Sequence, residues 1–412
     1  MSATAIENVV LPSRSLDSLK LPAAHRLRSD QEAIQTAHQI ARELEVDASA
    51  RDRERRLPEA EIELLTRSGL WGVTIPKAFG GPGVSHSTLV EVFAILAAAD
   101  PSLGQIPHHH FCVIDAIRLE GTEDQKRFYF EQVLAGKRFG NAFSEGGTKS
   151  VMDFQTRITP DGDAFRVNGK KFHSTGALFA HIIPTAALDE EKKGQLVLIP
   201  RDTPGLTVVD DWDGFGQRTT ASGSVLLDNV RVERDWIIPA YRAYDRPTLT
   251  GPLSQIIQAA IDAGIARTAI RETIEFVRTK ARPWIDSKVE KASEDPLTIS
   301  QVGDLEIRLH AAEALLQRAA RIFDQAEEVP TEATVAKVST AVAEAKVVTT
   351  EIAILATNKL FELAGTQSTL GKYNLDRHWR NARTHTLHDP VRWNYYAIGN
   401  YYLNNVNPPR QA

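Results

Sequence analysis

Cysteine is nearly absent: Cys112 is the only one in 412 residues. That excludes a disulfide framework and a thiolate metal site. No run is apolar enough to span a bilayer, and the N-terminus lacks the hydrophobic stretch of a signal peptide. A soluble, cytoplasmic protein is therefore expected. The net charge is −5 and basic residues do not gather in one stretch, so no nucleic-acid partner is expected. No Gly-x-Gly-x-x-Gly follows a strand-like run, which leaves no NAD(P)H site to expect on this chain. No internal repeat is visible. What is present is length and apolar content. Hydrophobic residues make up 42% of the chain, enough for two or three domains or one large layered unit.

Residues 1–28 mix Ser, Pro and Ala without helical period and read as an extended arm. From 29 to 136 the pattern is helical. Asp30 is expected to cap a helix with Ile34, Ala37, Ile40, Ala41 and Leu44 on its apolar side. Pro58 and Gly69 bracket a second helix, and 75–83 (IPKAFGGPG) is a turn-rich connection. A third covers 87–98, Pro101 starts another, and Thr122 with Gln125 forms a capping box. From 137 to 245 the texture changes to short strand-like runs at 139–144, 156–159, 164–167, 196–199, 206–209 and 224–232. From 246 to 412 helical periodicity returns over 253–281, 298–328 and 331–364, longer than the ~10–14 residues of ordinary helices. A shorter fourth helix is expected over 375–388. The expected fold class is α+β: an N-terminal helical domain, a small central β-barrel or sandwich, and a C-terminal four-helix bundle. Broad Ala, Ile and Val faces on helices this long imply burial against other subunits as well.

Four stretches carry candidate chemistry. RTHTLHDP (383–390) packs two imidazoles and a carboxylate just before a proline. On a helix ending at Asp389, His385, His388 and Asp389 would share one face at i, i+3 and i+4. They read either as cations capping a helix C-terminus or as groups that hold and protonate an oxygen species. His108, His109 and His110 make a poor metal site, because consecutive helical residues point about 100° apart. One of them facing a pocket is the better expectation. NAFSEGG (141–147) is a polar strand end running into glycines, able to grip a flat heterocycle or simply to turn. FHSTG (172–176) is of the same kind. Arg282, after a long helix, is a phosphate clamp or an ordinary surface arginine.

The domain order resembles the acyl-CoA dehydrogenase fold from about residue 30 onward, and IPKAFGG (75–81) resembles that superfamily in sequence. Within it the chain is most similar to the two-component flavin monooxygenases, the dibenzothiophene monooxygenases above all. The likeness is carried by 141–145, 171–174, Asp211 and Trp212, 278–284, and the long run 379–390 (WRNARTHTLHDP). Dehydrogenases of this fold commonly place a glutamate base in a Glu-Gly-Thr turn near the C-terminus, where this chain has His388-Asp389-Pro390. Others carry it on the first bundle helix, where this chain reads Leu253-Ser254-Gln255-Ile256. The resemblance implies an oxygenase that uses reduced FMN, supplied by a separate and transient NAD(P)H:flavin reductase, and works through a flavin C4a-hydroperoxide. The implied substrate is small and apolar, plausibly organosulfur. In that picture Ser174 meets flavin N5, His388 handles the proton, and Asp389 or His385 orients His388. Asn141, Ala142, Phe143, Ser144, Glu145, Phe172, Ser174, Arg282, Thr366, Gln367 and His388 would surround the FMN, with no metal. Arg282 would anchor the phosphate, and Arg282, Thr366 and Gln367 would serve a neighbouring subunit of a homotetramer. Two alternatives stand beside it: an FAD-dependent acyl-CoA dehydrogenase with Asp389 as base, and a non-catalytic oligomer that keeps the fold.

Overall fold

A run rich in Ala, Ile and Gly, such as 256–270, can make a helix with no solvent face, because small side chains let neighbours approach from every side. The computed structural model, which describes residues 24–149 and 153–409, shows that outcome. This stretch lies in a 30-residue helix that is buried around most of its girth from Pro252 to Ile270. It packs against helices from both ends of the chain.

The elements follow in three blocks. First come α1 (Asp30–Val46), α2 (Ala48–Glu54), α3 (Glu59–Ser68), α4 (His86–Ala99), α5 (Pro101–Gln105), α6 (His108–Glu120) and α7 (Glu123–Leu134). Then come β1 (Arg157–Asp161), β2 (Ala164–Lys171), β3 (Ile182–Leu188), β4 (Gly194–Pro200), β5 (Leu206–Val209), β6 (Ser224–Val232) and β7 (Ile237–Ile238). Last come α8 (Thr250–Thr279), α9 (Pro296–Ala326), α10 (Glu332–Ala364), α11 (Asp376–His385) and α12 (Arg392–Asn404). The strands pair in the order β5-β6-β2-β1-β3-β4-β7, antiparallel except for β1 with β3. The central helix is α8, which packs on α10, α4, α9, α6, α11 and α5.

Several local expectations change. The expected arm of residues 1–28 lies mostly outside the described residues. At its described end, Leu27 is buried and the His25 N–H donates to the Arg67 carbonyl. Ser29, not Asp30, caps α1. Asp30 instead accepts from Ser85 and Thr88 and so steadies the start of α4. Residues 139–144 make isolated bridges only, Phe139 with Ile182 and Ala142 with Thr185. Their partner β3 was not expected, because a strand buried on both faces shows no alternation. α11 stops at His385, three residues before the expected end. α12 was also not expected; it has no buried residue and leaves Trp393, Tyr395, Tyr396, Tyr402 and Leu403 exposed.

The α8–α4 crossing depends on Gly264. A Cβ there would stand 2.5 Å from the Ala94 carbonyl oxygen and 2.8 Å from Ala97 Cβ. In a free helix Ala is favoured over Gly by about 1 kcal/mol, but overpacking a closed contact costs about 1–3 kcal/mol. Gly264→Ala is therefore expected to lower the urea midpoint. Gly303→Ala on α9, where a Cβ meets nothing within 4 Å, is expected to raise it. The two midpoints measured side by side check the argument.

Candidate active site

Two polar residues break the apolar surface of α8 one turn apart. Gln258 and Asp262 are both fully buried, at i and i+4 on one face. Asp262 binds downward into the bundle. Its carboxylate takes His385 Nδ1 at 2.5 Å, the Thr350 hydroxyl at 2.8 Å and Lys346 Nζ at 3.3 Å. Burial opposes that charge, but the Lys346 ammonium and the bonds from His385 and Thr350 outweigh it and bring Asp262 down to about 2. His385 is fully enclosed, with Nε2 against the Gln105 amide at 3.0 Å. Burial holds its pKa below the ordinary value in spite of Asp262. His385 is thus a strut that anchors the end of α11 to α8. It does not share an open face with His388, because α11 ends at His385 and the chain turns there.

The turn brings His388 over Gln258. His388 Nδ1 lies 2.9 Å from Gln258 Nε2 and 3.0 Å from Asp389 Oδ2, and Gln255 donates to the same carboxylate at 2.9 Å. The Asp389 carboxylate beside Nδ1 favours the proton on that nitrogen and the Gln258 amide donor opposes it, so the two neighbours compete over one tautomer. Burial works against the Asp389 charge, yet His388, Gln255 and Lys346 hold its pKa well below the usual carboxylate range.

α6 delivers two more imidazoles. The His108 and His109 rings lie 6.1 and 6.4 Å from the His388 ring, and His109 stacks on Phe143 at 5.5 Å. Burial depresses both, His109 to about 3, with the neighbouring histidines adding to the effect. Both are neutral near pH 7. His108 leans on Ser254, at 3.0 Å from its hydroxyl. His110 points away and is used up structurally, between the Trp71 carbonyl and the Phe139 N–H.

The third wall is polar backbone from the sheet. The Phe172 N–H donates to the Ser144 carbonyl at 2.9 Å, and Asn141 Nδ2 donates to the His173 carbonyl at 3.2 Å. Those bonds join the 141–145 and 172–176 segments into one edge, with Ala142 buried behind it. Glu145 is committed elsewhere: its carboxylate takes Lys171, Thr156 and the Gln155 N–H, which leaves it turned into the β domain. Several buried polar atoms around this space have no partner among the described residues. They are Ser174 Oγ, Gln258 Oε1, His108 Nδ1 and His109 Nδ1; Thr384 Oγ1 and both amide atoms of Gln217 are likewise unpaired, where the loop at 216–217 packs on α11. Native interiors rarely leave such groups unpaired, so this cluster fits a polar ligand. A flavin ring, flat and with polar atoms along one side, suits it.

Arg282, Thr366 and Gln367 stand apart. Arg282 follows the end of α8, more than about 30 Å down the helix axis from Gln258 at 1.5 Å per residue. Thr366 and Gln367 follow α10 at the same end of the bundle, where Phe276, Leu360 and Ala364 cluster. Within one subunit these three cannot touch what Ser174 and His388 touch. The signal that sequence reading passed over was the polar stripe Gln255, Gln258 and Asp262 inside an apolar helix. Lys346 carried no signal, since its partner is 84 residues away.

Comparison with known proteins follows the same division of the chain. Family models of the acyl-CoA dehydrogenase N-terminal, middle and C-terminal domains match residues 28–137, 142–230 and 256–393. Dibenzothiophene monooxygenase from Rhodococcus erythropolis is 33% identical over 92% of this chain and 95% of its own. A probable FMNH2-dependent monooxygenase, SfnC of Pseudomonas putida, is 32% identical over 91% and 96%. The crystal structure of FMN-bound TdsC from Paenibacillus sp. A11-2 superposes with a TM-score of 0.88 at 32% identity, covering 92% of this chain and all of that one.

The buried charges make a test of the site's foundation. Asp262 has a folded pKa of about 2, below the ordinary 3.8. Its stabilisation is therefore complete above about pH 4 and is lost as pH falls through 2. Asp262→Asn is expected to cost about 3–5 kcal/mol at pH 7, because it strands the buried Lys346 ammonium. The gap to wild type should shrink as pH falls from 5 towards 2, and Asp262→Leu with Lys346→Met should recover most of the loss. Urea unfolding across that pH range reads both.

Proposed function

The chain belongs to the acyl-CoA dehydrogenase family, and from that premise we propose that it is the oxygenase of a two-component flavin monooxygenase. It uses reduced FMN and dioxygen to oxygenate a small, mostly apolar, organosulfur substrate. The observation that carries the reading is Ser174: a buried hydroxyl with no partner among the described residues, on the polar edge that faces the three imidazoles. Reduced FMN, when bound, supplies the electrons that activate dioxygen and allow one oxygen atom to pass to the substrate. The chain's own residues do the rest. Ser174 holds the N5 side of the ring. Asn141, Phe143 and Phe172 set its plane. Asp389 favours the His388 tautomer in which His388 Nε2 takes or gives a proton beside the reacting oxygen. His108 and His109, neutral and buried, line the space without bringing in charge or water.

A dehydrogenase reading finds little support in the same atoms. Its base would have to be Asp389, which is held well below the usual carboxylate range and already accepts from His388 and Gln255. A carboxylate so stabilised is a weak base. Asp262 is buried against Lys346 and cannot reach a substrate.

The site is proposed to be composite. The side chains of His388 and Asp389 are 38% and 37% exposed in the single subunit, too open for chemistry that must exclude water. A second subunit that covers this mouth and brings Arg282, Thr366 and Gln367 to the phosphate would close it, in a homotetramer assembled through the bundle. The exposed aromatics of α12 offer apolar area for that contact. FMN suits the 363–368 loop (LAGTQS) better than FAD, because Thr366 and Gln367 crowd a diphosphate but can bond a terminal monophosphate. No helix among the described residues is long and apolar enough to cross a membrane. A cytoplasmic setting beside a transient flavin reductase belongs to the same proposal.

Three outcomes test this. His388→Ala should keep FMN affinity within several-fold but uncouple turnover, so that reduced flavin yields hydrogen peroxide instead of oxygenated sulfide. Product formed per FMNH2 consumed, read by mass spectrometry, decides it, and an unchanged ratio removes His388 from the proton step. Arg282→Ala should weaken FMN on the order of ten- to a hundredfold, as loss of charge-assisted bonds predicts, with riboflavin binding nearly unchanged. Sedimentation should show a tetramer. A stable monomer that binds FMN would overturn the shared site.

A further inference from the structure

Gln217 is 3% exposed, yet neither the oxygen nor the nitrogen of its side-chain amide has a partner among the described residues. Its backbone is in the opposite condition. The N–H donates to Asn381 Oδ1 at 2.7 Å, and the carbonyl accepts from Trp212 Nε1 and the Thr220 hydroxyl, both at 2.9 Å. The residue is held at φ 50, a left-handed conformation that non-glycine residues rarely adopt. A rigidly pinned, strained residue that carries an unpaired buried amide is the pattern of a binding group kept ready.

Its surroundings tie it to the flavin edge. From the Gln217 carbonyl a line of hydroxyls runs through Thr220 and Ser222 to Thr175, next to Ser174, with links of 2.9, 2.7 and 2.7 Å. Trp212, bonded to the same carbonyl, meets the His173 ring at 5.7 Å. On the other side the loop presses on α11. A Cβ on Gly216 would stand 2.6 Å from Thr384 Oγ1, itself a buried hydroxyl without a partner among the described residues. His388 lies four residues further along the chain, past the end of α11.

We propose that Gln217, with Thr384 beside it, binds the polar pyrimidine side of the flavin ring next to the Ser174 contact. This rests on the FMN reading of the site and adds two residues to it. The chemistry matches: a pyrimidine edge offers carbonyl, N–H and carbonyl in turn, and a carboxamide is the side chain that both donates and accepts. The loop 210–223 thereby links flavin binding to the position of α11, and so to His388.

Gln217→Met keeps the shape and removes the amide. Flavin-free Gln217→Met should melt at a higher temperature than flavin-free wild type, because a buried unpaired amide is gone. It should also bind FMN about tenfold more weakly, read by flavin fluorescence. FMN methylated at N3 separates a ring contact from a general fault. Wild type should discriminate against the methylated flavin, and Gln217→Met should lose most of that discrimination. Equal affinity of both proteins for FMN overturns the inference, and so does an equal loss for both flavins. Wild type that binds neither flavin would instead sink the FMN reading itself. Should Gln217→Met fail to fold, Thr384→Val takes its place in the same titrations: weaker FMN binding with lost discrimination supports the inference, and unchanged binding overturns it.

Discussion

An ionised carboxylate in the middle of a helical bundle is the constraint that the rest of this structure answers. Asp262 sits on a helix with no solvent face, and its charge survives only because Lys346, His385 and Thr350 converge on it. The partners come from two helices: α10 supplies Lys346 and Thr350, and the end of α11 supplies His385. The pairing therefore sets how far α8, α10 and α11 slide past one another. Removing Lys346 leaves a buried charge unbalanced, which costs more than the pair itself contributes, and removing His385 or Thr350 takes away a hydrogen bond that the carboxylate needs. Once His385 is pinned, the three residues after it have little choice of path, and His388 comes to rest over Gln258. The position of the outermost histidine is thus decided by the innermost carboxylate.

Above that foundation the molecule holds back hydrogen bonds. Ser174, Gln258, Gln217 and Thr384 carry buried polar atoms with no partner among the described residues, whereas the buried cations Arg51 and Lys171 are paired, with Asp100 and Glu61 and with Glu145. The contrast separates two uses of polarity. Paired groups hold segments of each domain together, and in the proposed site the unpaired ones are left for a ligand. The same surface accounts for what the fold no longer does. A dehydrogenase needs a free carboxylate with ordinary basicity, and both nearby carboxylates here are tied down by cations or imidazole.

In the proposed assembly the single subunit also leaves work for a neighbour. α8 spans the bundle from end to end, so the group near its start and the group past its end lie far apart. In the proposed assembly that length is what allows one chain to supply the ring-binding edge and another the phosphate clamp. In that assembly the long helix would be a spacer between two half-sites as well as a core element.

Much of this was legible in order. Helix, strand and helix textures follow from the period of the apolar residues, and the capping box at Thr122 and the glycine stop at Gly69 are local chemistry that needs nothing distant. In the run 379–390 the spacing of two imidazoles and a carboxylate left a helix cap and a site equally open, and only the family resemblance favoured a site. Hidden from the sequence was every feature that depends on a partner far along the chain. β3 lacks alternation because both its faces are covered. α11 ends early because His385 is claimed by Asp262, 123 residues before it. Glu145 turns away from the edge it lies on because Lys171 is buried and needs its charge. Period and composition report what a residue prefers; desolvation of charge decides which preferences are met, and that is settled only when distant segments close on each other.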